Sequence, residues 1–318
     1  MFTWDVDPVL YDGIITIRYY GLILGLVLVL GFVVWRWQMR RGGHDEEIIG
    51  QFVVYGVLGV LAGSRLGHCI FYDFDRCFNP VTNVFKVWEG GLASHGATIG
   101  LALALALFAW RKKLHVAETT DRFSMCAAIG AILVRVANFI NSEIVGAETG
   151  GNWGVRFPRY DRVPLAEVPL RHPSQLYEVA LGLIVLSVLF LTDRHYGEKR
   201  RRGLLSSLFL ITYFCGRFVV EFFKERQVLA TDSFLTMGQW LSLPGIAIGG
   251  YWLFRVLHDP APRTIDTRDS KVSSSAGKEK ATKSLSSRKT GGAGAGGKKT
   301  KKSGKGSGKK SGKGSKKK

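Results

Sequence analysis

Negative charge is scarce in this sequence: 25 Asp+Glu stand against 44 Lys+Arg over 318 residues. The shortage is uneven. Residues 260–318 hold 19 Lys+Arg and three acids (Asp266, Asp269, Glu279), whereas the first 259 residues hold 25 and 22. This excludes a uniformly basic globule and describes an apolar body carrying a basic tail. With eight hydrophobic residues in 59, the tail has too little to bury a core, so it is expected to be disordered. Its plainest reading is a solvated cytoplasmic extension. The alternative is electrostatic adhesion to anionic lipid headgroups or to nucleic acid, with no motif for specific nucleic-acid recognition.

Cysteine is scarce too. Cys69, Cys77, Cys126 and Cys215 form no C-x-x-C pair and show no ligand spacing with a histidine. That argues against a zinc site, and the four read as small buried residues. The first 18 residues have no basic stretch ahead of the apolar run, an expectation against a cleaved signal peptide.

Long apolar runs are what the body does have. Seven can be drawn, near 18–37, 48–72, 92–110, 123–141, 173–192, 204–223 and 237–257, each near the ~20 residues a bilayer-spanning helix needs. Cations follow the first (Arg36, Arg40, Arg41), third (Arg111, Lys112, Lys113, Arg122) and fifth (Arg194, Lys199 to Arg202), and the basic tail follows the seventh. By the positive-inside rule, the expectation is an all-α membrane protein of seven transmembrane helices, N-terminus outside and C-terminus cytoplasmic. Residues 1–259 then form the membrane-embedded body and 260–318 the tail. The 142–172 connection between the fourth and fifth helices, rich in Gly and Pro, is expected to form a small extracytoplasmic cap, partly strand.

An ionisable side chain near the centre of a span costs about 2.5–3.5 kcal/mol on insertion scales, so each one needs a reason. Arg65 sits in the second run, Arg135 and Asn138 in the fourth, Arg217 and Glu221 in the sixth. In the expected orientation they share the outer half of the membrane with Tyr20, His95, His172 and Gln239. Tyr213, Arg217 and Glu221 are spaced as one helical stripe, and so are Arg135, Asn138 and Ser142. Arg217 and Glu221 could simply neutralise each other within their helix. Yet three arginines against two carboxylates, Glu143 and Glu221, leave spare positive charge. At an outer membrane face the abundant anion is a lipid phosphate. Of the histidines, His172 ahead of Pro173 reads as a cap or a packing partner of the 142–171 loop. His95, flanked by glycines in GGLASHG, is the better candidate for proton transfer.

These strings carry a resemblance. GGLASHG (90–96), VRVANFINSEIVG (134–146), RHPSQLYE (171–178), RYYGL (18–22), YFCGRFVVEFFKE (213–225) and MGQWLS (237–242) closely resemble the prolipoprotein diacylglyceryl transferase family, in family order over about residues 10–257. The resemblance implies a bacterial inner-membrane enzyme that transfers the diacylglyceryl group of phosphatidylglycerol to the lipobox cysteine of a prolipoprotein. A thioether forms, glycerol 1-phosphate leaves, and no metal or organic cofactor takes part. It also implies that Tyr20, His95, Arg135, Asn138, Glu143, Gly146, Arg217 and Glu221 occupy essential positions.

The resulting expectation assigns His95, Arg135 and Arg217 to catalysis, His95 as the base for the thiol and the arginines for phosphate charge; the alternative mechanism has the arginine field alone activating the thiol, with His95 only positioning lipid. Tyr20, Arg65, Asn138, Asn141, Glu143, Gly146, Tyr213 and Glu221 are assigned to the lipid substrate. Within that set, Asn138, Asn141 and Tyr20 orient the headgroup while Glu143 and Glu221 hold the arginines. The chain departs from the family pattern at Val134, Ala137 and Ala97, where glycines are usual, at His68, and in lacking a Pro-Asp ending after FFKE. The competing reading is a seven-helix anion or lipid transporter, which predicts polar groups through the whole membrane depth or repeated halves. Neither pattern is visible. A serine protease built on Ser64 or Ser94 lacks a G-x-S-x-G setting.

Overall fold

A computed structural model of the protein describes residues 2–225 and 234–258; the expected tail over 260–318 lies outside the described residues. The body is mostly helical. A short N-terminal arm of strands β1 (Phe2–Thr3), β2 (Val9–Tyr11) and β3 (Ile17–Arg18) leads into α1 (Tyr19–Arg41), α2 (Glu46–Phe71) and α3 (Phe74–Phe78). Then follow α4 (Ser94–Arg111), α5 (Val116–Ile140), β4 (Val155–Arg156), α6 (Pro158–Asp161), α7 (Ser174–Tyr196), α8 (Leu204–Val220) and α9 (Met237–His258). Six stretches, Tyr19–Arg41, Glu46–Phe71, Val116–Ile140, Ser174–Lys199, Leu204–Phe223 and Met237–His258, are long and apolar enough to cross a membrane. The remaining run forms α4, 18 residues whose ends carry Ser94, His95 and Arg111.

The glycines of α2 and α4 explain how these two helices pair. Gly59, Gly63 and Gly67 recur every fourth residue on α2 and face Gly96, Gly100 and Ala104 of α4. A Cβ added at Gly100 would lie 2.9 Å from the Gly63 Cα, and one at Gly67 2.8 Å from the Gly96 Cα. Backbone therefore meets backbone, the close approach that small residues permit between helices in lipid. A second core joins α1, α2, α4 and α5 through Trp35, Met39, Phe52, Leu105 and Phe108. A third joins α5, α7 and α8 through Met125, Leu181, Val185, Leu189 and Leu205.

Helix α5 starts at Val116, seven residues ahead of the apolar run that marked it. The added turns carry Glu118, Asp121 and Arg122, all buried, and each has a partner. Asp121 accepts from the Gly203 and Ser206 amides at 2.8 Å and from Ser206 Oγ at 2.7 Å. A carboxylate from one helix thus caps the amino end of another, α8. Arg122 pairs with Glu118 at 3.0 Å and Glu198 at 2.9 Å, while Arg41 and Arg200 share Asp193. Arg201 donates to the Val256 and Leu257 carbonyls at 2.6 and 2.8 Å, capping the carboxyl end of α9. Arg41, Arg122, Arg200 and Arg201, among the loop cations read from sequence as topology signals, are tied into the fold at this end of the bundle.

At the opposite end the 142–172 connection bears strand pairing. β1 runs parallel to β4, Phe2 opposite Val155, and bridges join Gly146 to Lys224, Glu148 to Arg171 and Val155 to Arg171. Val145, Val155 and Phe157 form its core, with Trp4 and Phe139 packed on it. Arg171 binds Asp161 at 2.6 Å and Glu225 at 3.3 Å. Burial alone would lower the Arg171 guanidinium's pKa; the hydrogen bond and charge of Asp161 outweigh it and leave the pKa raised. Burial, with the hydrogen bond to Glu225, likewise raises the Tyr160 phenol.

The cysteine expectation needs correction. Cys69 and Cys77 form a disulfide; the turn from α2 into α3 brings their Cα atoms to 5.4 Å, a geometry that spacing alone does not reveal. Cys126 is buried as expected, and Cys215 is exposed.

Candidate active site

The helices alternate in direction, so the carboxyl ends of α2, α5 and α8 gather with the amino ends of α1, α4, α7 and α9. Contacts link several of the polar residues there into one network. Its centre is Glu178, on the first turns of α7 and buried. Its carboxylate pairs with Arg135 of α5, with Arg217 of α8 at 3.3 Å and with Lys224 at 2.8 Å. Lys224 also reaches Glu221 at 3.3 Å. Sequence reasoning missed both Glu178 and Lys224. A signal existed: Gln175, Glu178, Leu181, Gly182, Val185 and Leu189 form the buried face of α7, so Glu178 stands at a core position where an unpaired carboxylate would be prohibitive.

This finding reassigns the expected holders of the arginines. Glu143 holds amides instead: Asn138 Nδ2 donates to it at 3.0 Å and Asn141 Nδ2 at 3.2 Å. Arg135 Nη1 donates to Asn138 Oδ1 at 3.1 Å, so Asn138 links Arg135 to Glu143. Tyr20, at the start of α1, lies close enough to feel the charges of both Glu143 and Arg135. The Arg217–Glu221 pair within one helix is not among the contacts of the described residues; each turns to a different partner. Lys224 and Glu178 enter the count as an equal pair, but the surplus inferred from sequence rested on counting Arg65 here; within this network Arg135, Arg217 and Lys224 stand against Glu143, Glu178 and Glu221, three of each sign.

The turn that places Glu143 is strained. α5 ends at Ile140, and Ser142 and Ile144 adopt φ of +55° and +54°, for Ile a rare conformation because its branched Cβ crowds the backbone. The structure over-determines it: Ser174 Oγ donates to the Ile144 carbonyl at 3.0 Å and Gln175 Nε2 to the Glu143 carbonyl at 2.7 Å. Gly146 follows, its amide donating to the His172 carbonyl at 3.0 Å. A Cβ there would strike the His172 and Phe223 carbonyls. The need for glycine at 146 is therefore steric, a junction between 142–172 and the segment after α8.

Other expected residues sit apart from this network. Arg65 is buried and, among the described residues, donates only to main-chain carbonyls of the connection between α2 and α4: Asn83 at 2.6 Å, Val84 at 3.0 Å and Gly90 at 2.6 Å, with a longer contact to Gly91 at 3.4 Å. His95 is exposed on the first turn of α4, and among the described residues its imidazole makes no hydrogen bond or ion pair. Tyr213 stacks on Phe209 at 5.5 Å and packs against the α5–α7–α8 core. Gln239 and Thr236 cap the start of α9 reciprocally, at 3.0 and 3.2 Å, a capping box. His172 is a packing residue, against Trp153 at 4.9 Å and Phe223 at 5.3 Å, with Tyr177 Oη 3.1 Å from Nδ1. Ser64 Oγ donates to the Leu61 carbonyl of its own helix at 3.0 Å.

Fold and site together define a multi-pass membrane protein that gathers arginines, a lysine and carboxylates at one end of a helical bundle. The family profile for prolipoprotein diacylglyceryl transferase matches residues 8–255. Over 255 residues the chain is 36% identical to the phosphatidylglycerol--prolipoprotein diacylglyceryl transferase of Chloroherpeton thalassium, covering 79% of this chain and 93% of the relative. The enzymes of the same name from Bacteroides fragilis and Burkholderia thailandensis are 37% and 39% identical, over 79% and 77% of this chain and 94% and 93% of their own lengths. The chain belongs to the prolipoprotein diacylglyceryl transferase family.

Proposed function

We propose that the protein is a phosphatidylglycerol--prolipoprotein diacylglyceryl transferase, acting at the first step of lipoprotein maturation. Family membership and the relatives' names support the reaction. The observation that carries the site assignment is the pair of guanidiniums, Arg135 and Arg217, held on one buried carboxylate, Glu178. Arg135, Arg217 and Lys224 form the phosphate site. As the glyceryl carbon–oxygen bond breaks, the leaving glycerol 1-phosphate gains negative charge, which preorganised guanidiniums stabilise more than they stabilise bound lipid.

The lipobox sulfur attacks that glyceryl carbon as thiolate; its proton passes to the His95 imidazole, and the electron pair of the broken bond leaves on the phosphate oxygen. A free thiol titrates near 8.5, so a base is needed near neutral pH. Asn138, Asn141, Glu143 and Tyr20 orient the headgroup. The Asn141 Oδ1 and Ser142 Oγ atoms, buried and without a hydrogen-bond partner, are suited to take its hydroxyls. Glu221 sets Lys224, Tyr213 buttresses the turn ahead of Arg217, and Gly146 supports the turn that carries Glu143.

In this reading the Arg135 end faces outside the bacterial inner membrane, with the N-terminus and the 142–172 cap, and the C-terminus is cytoplasmic. The Cys69–Cys77 disulfide at that end suits an oxidising compartment, and the loop cations lie at the other end. α4, sealed onto α2 by glycines, serves as the seventh span. Residues 1–259 are the catalytic body, and 260–318 a cytoplasmic tail able to adhere to anionic headgroups. The test is incubation of the purified protein with labelled phosphatidylglycerol and a lipobox peptide. A diacylglyceryl thioether on the peptide cysteine is expected; intact peptide with no released glycerol 1-phosphate would overturn the assignment.

A further inference from the structure

His95 stands on the surface at the first turn of α4, and among the described residues no hydrogen bond, ion pair or ring contact aims its imidazole. Its position must come from the backbone beneath it, and that backbone is built around Arg65. The guanidinium donates to the carbonyls of Gly90 (2.6 Å), Asn83 (2.6 Å) and Val84 (3.0 Å), with the Gly91 carbonyl at 3.4 Å. Gly90 and Gly91 have φ of +87° and +71°, which turns consecutive carbonyls onto one side chain. A Cβ at Gly91 would lie 2.5 Å from His68 Nε2 and 3.0 Å from Arg65 Nη1, so only glycine fits. Two residues on, the Ala93 amide donates to the Ser64 carbonyl at 2.9 Å, and Gly96 rests on the backbone of Gly63 and Gly67. The approach to His95 is thus fixed on both sides by α2.

We infer that Arg65 is a positioning residue for His95: with each of its three nitrogens donating to these carbonyls, it holds the Gly90–Gly91 turn and through it the imidazole, and does not bind the lipid phosphate. The inference rests on the reading of His95 as the base. A buried guanidinium suits this task because its planar fork serves several carbonyls at once, which an ammonium does not do in the same geometry.

The test is a double-mutant cycle in the transfer assay. Arg65→Gln should lower kcat by about 10–100-fold, as misplacement of a catalytic group by about 1 Å does, with the KM for phosphatidylglycerol and inhibition by glycerol 1-phosphate little changed. In a His95→Gln background the same substitution should cost almost nothing, because the group it positions is gone. Arg65→Lys, run through the same cycle, keeps the charge; it should show a smaller loss with the same non-additivity, and it serves if Arg65→Gln does not fold. Additive losses, or a raised KM with weakened glycerol 1-phosphate inhibition, would overturn the inference in favour of direct phosphate contact. Unchanged activity of His95→Gln alone would instead remove the base assignment on which it rests.

Discussion

Glu178→Gln is the perturbation that most exposes how the site is assembled. The substitution keeps size and shape and removes one negative charge from among Arg135, Arg217 and Lys224. A unit pair at about 3 Å attracts by about 5 kcal/mol at an effective dielectric near 20. Hydration of the released cations and their lessened crowding return part of this, and removal of one partner of a buried pair costs about 3–5 kcal/mol. The Arg135 and Arg217 side chains keep 16% and 19% of their surface, so the low end, about 3 kcal/mol, is expected in stability. With the guanidiniums no longer sharing an anchor, kcat should fall by about 10²-fold. Binding should move the other way. The substitution leaves the network one net positive charge, so the KM for phosphatidylglycerol should hold or fall and glycerol 1-phosphate should inhibit more strongly, the pattern of lost transition-state placement rather than lost affinity. Thermal unfolding in detergent and steady-state kinetics on one preparation read all of this. Wild-type kcat, or a raised KM with kcat intact, would refute the claim that Glu178 orients the arginines.

His95→Gln should lower the rate by about 10²–10⁴-fold, with partial recovery on a lipobox peptide bearing a more acidic thiol; a small loss, or no recovery, favours thiol activation by the arginine field alone. Gly100→Val drives a side chain into the Gly59 and Gly63 backbone and should destabilise by about 1–3 kcal/mol, whereas Gly25→Val, with nothing within 4 Å of its Cβ position, should leave the melting temperature nearly unchanged. Asp121→Ala strips the cap from α8 and leaves the Gly203 and Ser206 amides without their acceptor; a loss of about 1–3 kcal/mol is expected in the same melt.

The apolar runs disclosed the long helices because a spanning helix must be apolar over most of its length. They failed where pairing makes charge tolerable. The first turns of α5 read as loop because Glu118, Asp121 and Arg122 look costly until their partners at positions 198–206 and at Gln38 fold beside them. The same blindness hid Glu178: counting arginines against the nearest carboxylates overlooked one on a different helix. Arg135, Asn138 and Arg217 were legible because helical spacing and membrane depth are sequence properties. The isolation of Arg65 from them was not, since its partners are carbonyls 18 to 26 residues away, and carbonyls carry no sequence signature. The Cys69–Cys77 disulfide and the α2–α4 glycine contact differ in this respect. The first depends on the turn into α3, while the second had a signal in the four-residue spacing of Gly59, Gly63 and Gly67 that the sequence reading passed over.

The central claim is that Arg135 and Arg217 together hold the lipid phosphate during transfer. Its most direct test is the turnover of Arg135→Ala and Arg217→Ala, each inserted in membranes at the wild-type level, with labelled phosphatidylglycerol and a lipobox peptide. Loss of thioether formation in both variants is the predicted result. Normal turnover in either would contradict the assignment of that arginine to the phosphate.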